Sequence, residues 1–329
     1  MEDYLWFLAK GITTVFLVAL LVGAVAGTLR RERQDPEGTL RVKRCGDHYR
    51  RLARALDEAI APPKTLREKW RWRRAAASTG SPDPEAPRTF LLKFEGDLRA
   101  SRVEQLREEI SAVLSRARPD KDAVVLLLDS PGGLVPGYGL AAAQLTRLRD
   151  AGVKLTVAVD RVAASGGYLM AAVADRIVAA PFAVVGSIGV VAQIPNVHRL
   201  LKRHDVDVEL MTAGEYKRTL TVLGENTEAG RRKFQEDLEQ THELFKSFLS
   251  RYRPDLDLPR IATGEYWHAE QAKALGLVDE IGVSDDLLRR LAEDGEIYEV
   301  DYHQKQRLHK RLAISLQSTL DRLMTPAGP

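Results

Sequence analysis

Between Gly11 and Leu29 the chain runs for 19 residues without a charge, which at 1.5 Å of rise per residue is roughly 28 Å of α-helix. That matches the hydrocarbon core of a bilayer, so residues 1–29 are expected to form a membrane-spanning anchor, with the rest of the chain on one side. Tyr4, Trp6 and Phe7 suit one interface, Lys10 can snorkel to the headgroups, and Arg30, Arg31 and Arg33 stop the run at the other. The competing reading is a cleaved signal peptide, for which Ala24-Val25-Ala26 would serve as the cleavage site. Against it stand Glu2 and Asp3, where a signal peptide carries positive charge, and an apolar stretch beyond the usual length. The expected location is a single-pass inner-membrane protein. Six Lys/Arg between Arg30 and Arg44 put the remainder on the cytoplasmic side by the positive-inside rule.

The net charge of +3 hides an asymmetry, because residues 30–74 hold 15 Lys/Arg against 7 Asp/Glu. Residues 30–88 therefore read as a basic juxtamembrane segment and linker, ending in a loop with Pro82, Pro84 and Pro87. Its charge suits anionic lipid headgroups, at about 1 kcal/mol per residue near the surface, or a merely solvated flank. Nucleic-acid binding is excluded as a reading, since no aromatic platform or reader motif accompanies the charges. Cys45 is the only cysteine, so there is no disulfide framework and no Cys/His cluster for a metal. No metal or organic cofactor is expected.

From Thr89 the texture becomes that of an α/β domain with a mostly parallel sheet. Strands are expected at Thr89–Phe94, Ala123–Leu128, Leu155–Val159, Arg176–Ala179 and Ile188–Val191. Helices are expected after a Ser101/Glu104 capping box, through Leu140–Leu148, after Ser165, and as a long amphipathic helix with one face marked by Phe234, Leu238, Thr241, Phe245, Phe248 and Tyr252. This domain is assigned to 89–282, and 283–329 is read as a C-terminal helical extension without a catalytic role.

Two glycine-bearing turns follow buried strands. Asp129-Ser130-Pro131-Gly132-Gly133 can aim main-chain N–H groups at one point, as an oxyanion hole requires, or it is a plain strand-to-helix turn. Ala163-Ala164-Ser165-Gly166-Gly167 presents a serine that is either an ordinary N-cap or a nucleophile at a helix N-terminus. A nucleophile needs a base. His198 and His204 lie in a basic, surface-like stretch without a Gly-x-Ser-x-Gly elbow, which disfavours a Ser-His-Asp triad. Lys217 is the other candidate. A lysine acts as a base only when neutral, which requires burial, and taken by itself, beside Arg218, it reads as a solvated surface charge.

The ordered set of motifs resembles the SohB branch of the SppA-type family of serine-lysine signal-peptide peptidases. The resemblance runs through Asp129–Gly133, Asp160–Tyr168, Ala179–Val190, Thr212–Thr221 and Gly224–Thr227. It implies a ClpP/crotonase-like α/β fold with Ser165 as nucleophile and Lys217 as general base. It further implies Gly132, Gly133 and Gly166 as oxyanion donors, and Ser187 as the hydroxyl that orients the lysine. The expected protein is a membrane-anchored serine endopeptidase cleaving signal peptides or other unfolded, apolar peptide segments. Relatives of this type join such units into rings, so a homo-oligomer sharing its sites between subunits is expected, and they favour the outer face of the membrane rather than the cytoplasmic one. The alternatives are a crotonase-like acyl-CoA hydratase or isomerase, and an inactive oligomeric membrane scaffold.

Overall fold

Apolar residues occupy both faces of the central strands, which forces the sheet between two layers of helices. The computed structural model describes residues 38–60, 65, 67 and 85–304. Nearly all of them fall in one unit, Leu40–Tyr302. Among the described residues there are ten strands: β1 (Thr39–Arg44), β2 (Arg88–Glu95), β3 (Ala123–Asp129), β4 (Lys154–Val159), β5 (Val162–Ala164), β6 (Arg176–Ala179), β7 (Val184–Gly186), β8 (Tyr266–His268), β9 (Glu280–Ile281) and β10 (Glu296–His303). The helices are α1 (Gly46–Ile60), α2 (Val103–Leu114), α3 (Val135–Asp150), α4 (Gly166–Ala171), α5 (His198–Arg203), α6 (Glu228–Tyr252), α7 (Leu258–Ile261), α8 (Ala269–Ala274) and α9 (Ser284–Asp294).

Seven strands form one sheet in the order β1-β10-β2-β3-β4-β6-β9. Every pairing from β10 to β9 is parallel. Side chains alternate across it. Phe90, Leu92 and Phe94 of β2 join Val124, Leu126 and Leu128 of β3 in the larger core with α2 and α3, whereas Leu91, Val125, Ala158 and Val178 meet Leu287 and Leu288 of α9 on the other face. Each fully buried leucine contributes about 1.5–3 kcal/mol. The inward face of α2 repeats at Val103, Leu106, Ile110 and Val113, the spacing of one helical stripe. A three-stranded sheet, β5-β7-β8, stands at the carboxyl end of β3.

The mostly parallel α/β architecture expected from the sequence is present, with several local corrections. The Ser101/Glu104 capping box does not form. The N-cap of α2 is Arg102, with no side-chain cap, because Asp97 Oδ1 takes the N–H groups of Arg99 and Ser101 and Ala100 turns with φ 55°. The strand expected at Ile188–Val191 lies earlier, at β7, since Gly186 (φ 99°) and Ser187 (φ 51°) turn the chain out of the sheet. The region expected as a helical extension supplies α9 and then a sheet strand, β10, and the expected linker supplies β1 and α1. The anchor expected over 1–29 lies outside the described residues. Among those described, no helix is long and apolar enough to cross a membrane.

Candidate active site

Both glycine turns come together where β3 ends. Ser130 N–H donates to Val162 O (2.8 Å) and Ala164 N–H donates to Ser130 O (3.0 Å), tying the first turn to β5. Gly132 thereby lands against the serine turn. At its φ of +88°, a Cβ would fall 2.7 Å from Ser165 Cβ and 2.8 Å from Gly166 N, so only glycine fits.

Ser165 has φ 52° and ψ −119°, a conformation that costs a non-glycine residue about 1–3 kcal/mol and persists only where its surroundings enforce it. The enforcing contacts are a hydrogen bond from its N–H to Gly186 O (2.7 Å) and the parallel register Ala164↔Gly186. Ser165 stands at the N-cap position of α4, yet its side chain makes no capping bond. The ordinary N-cap role therefore does not explain a serine here. Its side chain is half-buried, open enough for a substrate.

The three expected oxyanion donors divide. Gly132 N–H donates to Ser130 Oγ at 3.2 Å, so it is engaged. Among the described residues, the N–H groups of Gly133 and Gly166 make no hydrogen bond. Gly133 is pressed on Leu98, where a Cβ would lie 2.2 Å from the carbonyl oxygen. Ser187 follows β7 as Ser165 follows β5, and its N–H donates to Glu265 O (2.6 Å).

Lys217 lies in the segment that follows β7, outside the two glycine turns. It is exposed, and among the described residues no hydrogen bond or ion pair joins its side chain to Ser165 or Ser187. Its segment, 189–226, contains one short helix, α5, and is mostly exposed, including Val191 (91%), Met211 (84%) and Tyr216 (56%). His198 and His204 belong to the same exposed stretch, and neither is bonded to Ser165.

Two functional candidates were missed from sequence. Ser130 Oγ lies 2.7 Å from Tyr138 Oη, and the Tyr138 hydroxyl donates to Asp97 O at 2.8 Å. The available signal was a tyrosine between two glycines, Gly137-Tyr138-Gly139, since small flanking residues permit close packing.

A parallel α/β sheet carrying a strained serine beside a diglycine turn has the form of a hydrolase site. The family models Peptidase family S49 N-terminal and Peptidase family S49 match residues 1–145 and 147–297. Probable protease SohB of Haemophilus influenzae is 48% identical over 318 residues, covering 93% of this chain and 90% of the relative. Probable protease SohB of Buchnera aphidicola subsp. Acyrthosiphon pisum is 51% identical over 231 residues, covering 70% and 68%. Among solved structures, a ClpP1 mutant from Listeria monocytogenes is similar at TM-score 0.39 and 14% identity, covering 60% of this chain and 92% of that one. The chain belongs to peptidase family S49, in its SohB-type branch, and is a protease. The acyl-CoA alternative gives way to that membership.

Proposed function

We propose that the chain is a membrane-anchored serine endopeptidase working through a Ser165–Lys217 dyad. Ser165 Oγ attacks the scissile carbonyl while the neutral lysine amine takes its proton. The resulting oxyanion is held by the N–H groups of Gly133 and Gly166, the two that are unengaged among the described residues. The lysine ammonium then returns the proton to the leaving amine, and water repeats the cycle on the acyl-enzyme. Ser187 orients the amine. The observation that carries this reading is the enforced backbone of Ser165 beside the diglycine turn, with no capping duty for its hydroxyl.

Lys217 would reach Ser165 from a neighbouring copy. The exposed apolar side chains of the 189–226 segment support this, because burying Val191, Met211 and Tyr216 against a second copy would desolvate the lysine carried with them. Homo-oligomerisation would wall the sites off and admit only unfolded chains, which favours signal peptides and other extended apolar segments as substrates. The uncharged run 11–29 would keep the enzyme in the membrane that releases them. Labelling with a fluorophosphonate should modify Ser165, whereas the inactive-scaffold alternative predicts no label. Co-expressing Ser165→Ala with Lys217→Ala should restore part of the activity that each variant lacks alone. A mixture that co-assembles and stays inactive would overturn the shared site.

A further inference from the structure

A line of buried hydrogen bonds leads from the diglycine turn into the protein. Gly132 N–H donates to Ser130 Oγ, Ser130 Oγ meets Tyr138 Oη, and Tyr138 donates to the Asp97 carbonyl. Because the tyrosine proton goes to Asp97, Ser130 must be the donor between the two hydroxyls, and its oxygen accepts from Gly132. The polarity is thus fixed from end to end. Ser130 and Tyr138 are fully buried, and burial pushes the phenol up to about 12, so the line stays protonated at neutral pH.

The far side of the turn is held as well, by Leu134 N–H donating to Leu98 O at 2.8 Å. Gly133 therefore sits between two pinned neighbours, with its own N–H left over among the described residues. Tyr138 also supports the other half of the site. Gly166 packs against the base of its side chain, where a Cβ would come within 2.3 Å of Cγ and 2.6 Å of Cβ. Gly96 makes room for the hydroxyls, since a Cβ there would lie 2.1 Å from Ser130 Oγ and 2.4 Å from Tyr138 Oη. One side chain thus bears on both main-chain segments that present the unengaged N–H groups.

We propose that Tyr138 and Ser130 are positioning residues that set the separation and aim of the Gly133 and Gly166 N–H groups, the hydroxyl pair holding the diglycine turn and the ring holding Gly166. This rests on the oxyanion reading of those groups. An apolar residue at 138 would preserve packing against Gly166 while releasing the turn, so hydroxyl and ring are separable by substitution.

The test uses Tyr138→Phe, Ser130→Ala and the double variant in the full chain, with active sites counted by fluorophosphonate labelling and folding followed by thermal melting. Losing an oxyanion donor costs about 10²–10³ in kcat, and misaiming one should cost ~10–100-fold. Each single variant should lower kcat per labelled site by that factor with KM within about twofold. Affinity for a peptide aldehyde, whose hemiacetal oxygen uses the same donors, should fall in parallel. The double variant should be no worse than the worse single one, because both substitutions break one line. Variants that melt earlier yet keep kcat per labelled site and aldehyde affinity within about twofold of wild type would overturn the proposal, as would fully multiplicative losses in the double variant. If Tyr138→Phe does not fold, Ser130→Ala carries the test. A wild type that takes no label would overturn the nucleophile assignment and this proposal together, whereas a labelled wild type with unaltered variants would overturn the positioning role alone.

Discussion

Ser165 and Ser187 each stand one residue beyond the paired strand ends Ala164↔Gly186, and both turn the chain with nearly the same positive φ, 52° and 51°. Parallel register therefore presents two hydroxyl-bearing residues at one end of the small sheet, although 22 positions separate them in sequence. Ser165→Gly should relieve the strained backbone and stabilise the fold by about 1 kcal/mol relative to Ser165→Ala. Both should lower turnover by about 10⁴-fold or more. Paired thermal melts decide it: if the glycine variant melts no higher than the alanine variant, the strain is absent.

Under the proposed dyad, Ser187→Ala should reduce activity less, by about 10-fold, because it leaves Ser165 and Lys217 in place and removes only the hydroxyl proposed to orient the amine. With a lysine base, activity should rise with pH and level off once the amine is neutral. The pH profile of kcat/KM is the check. A limb of that profile that vanishes on replacing His198 or His204 would point to a histidine base instead.

Gly133→Ala should lower activity by about 10²-fold or more, since its methyl would meet Leu98 O at 2.2 Å and push the turn away from Ser165. Gly139→Ala is the matched control. It lies in α3 with nothing within 4 Å of the added methyl, and should stabilise the helix by about 0.5–1 kcal/mol with unchanged turnover. Kinetics and melting of the two variants side by side separate site geometry from backbone stiffness.

Acid should weaken the fold through Asp122. Burial alone would raise its carboxyl, but side-chain hydrogen bonds from Arg118 and Arg88 outweigh that and hold it well below the ordinary value of 3.8. A folded-state value below the unfolded one gives stability that is complete above about pH 4 and lost as pH falls further. Asp122→Asn should therefore cost about 2–3 kcal/mol at pH 7, with the gap to wild type narrowing below pH 4. Urea midpoints at pH 7 and pH 3 measure it, and a constant gap would contradict the assignment.

The central strands were legible because apolar runs such as Ala123–Leu128 are what two-sided burial requires. The two turns that meet, carrying Gly132, Gly133, Ser165 and Gly166, stood out because each is contiguous in sequence. The Ile188–Val191 strand was misplaced because periodicity cannot see that Gly186 and Ser187 leave the β region. Asp97 displaced the expected cap through a main-chain geometry centred on Ala100 that residue type does not announce. The Tyr138 line escaped notice because its meaning depends on Asp97, Ser130 and Gly166 converging from separate elements. β10 was hidden because its partner, β2, lies about two hundred positions earlier.

That last pairing has a consequence in time. As the chain leaves the ribosome, β2, β3, β4 and β6 can assemble early, and the Ser165 turn with them. The edge of β2 that receives β10, from Arg88 to Leu91, must wait until residue 296 and its successors emerge. Until then it offers bare N–H and C=O groups to any extended chain nearby. A nascent protease whose serine turn precedes the strand that covers β2 has reason to finish quickly, and a chain stopped short of Glu296 should aggregate rather than mature.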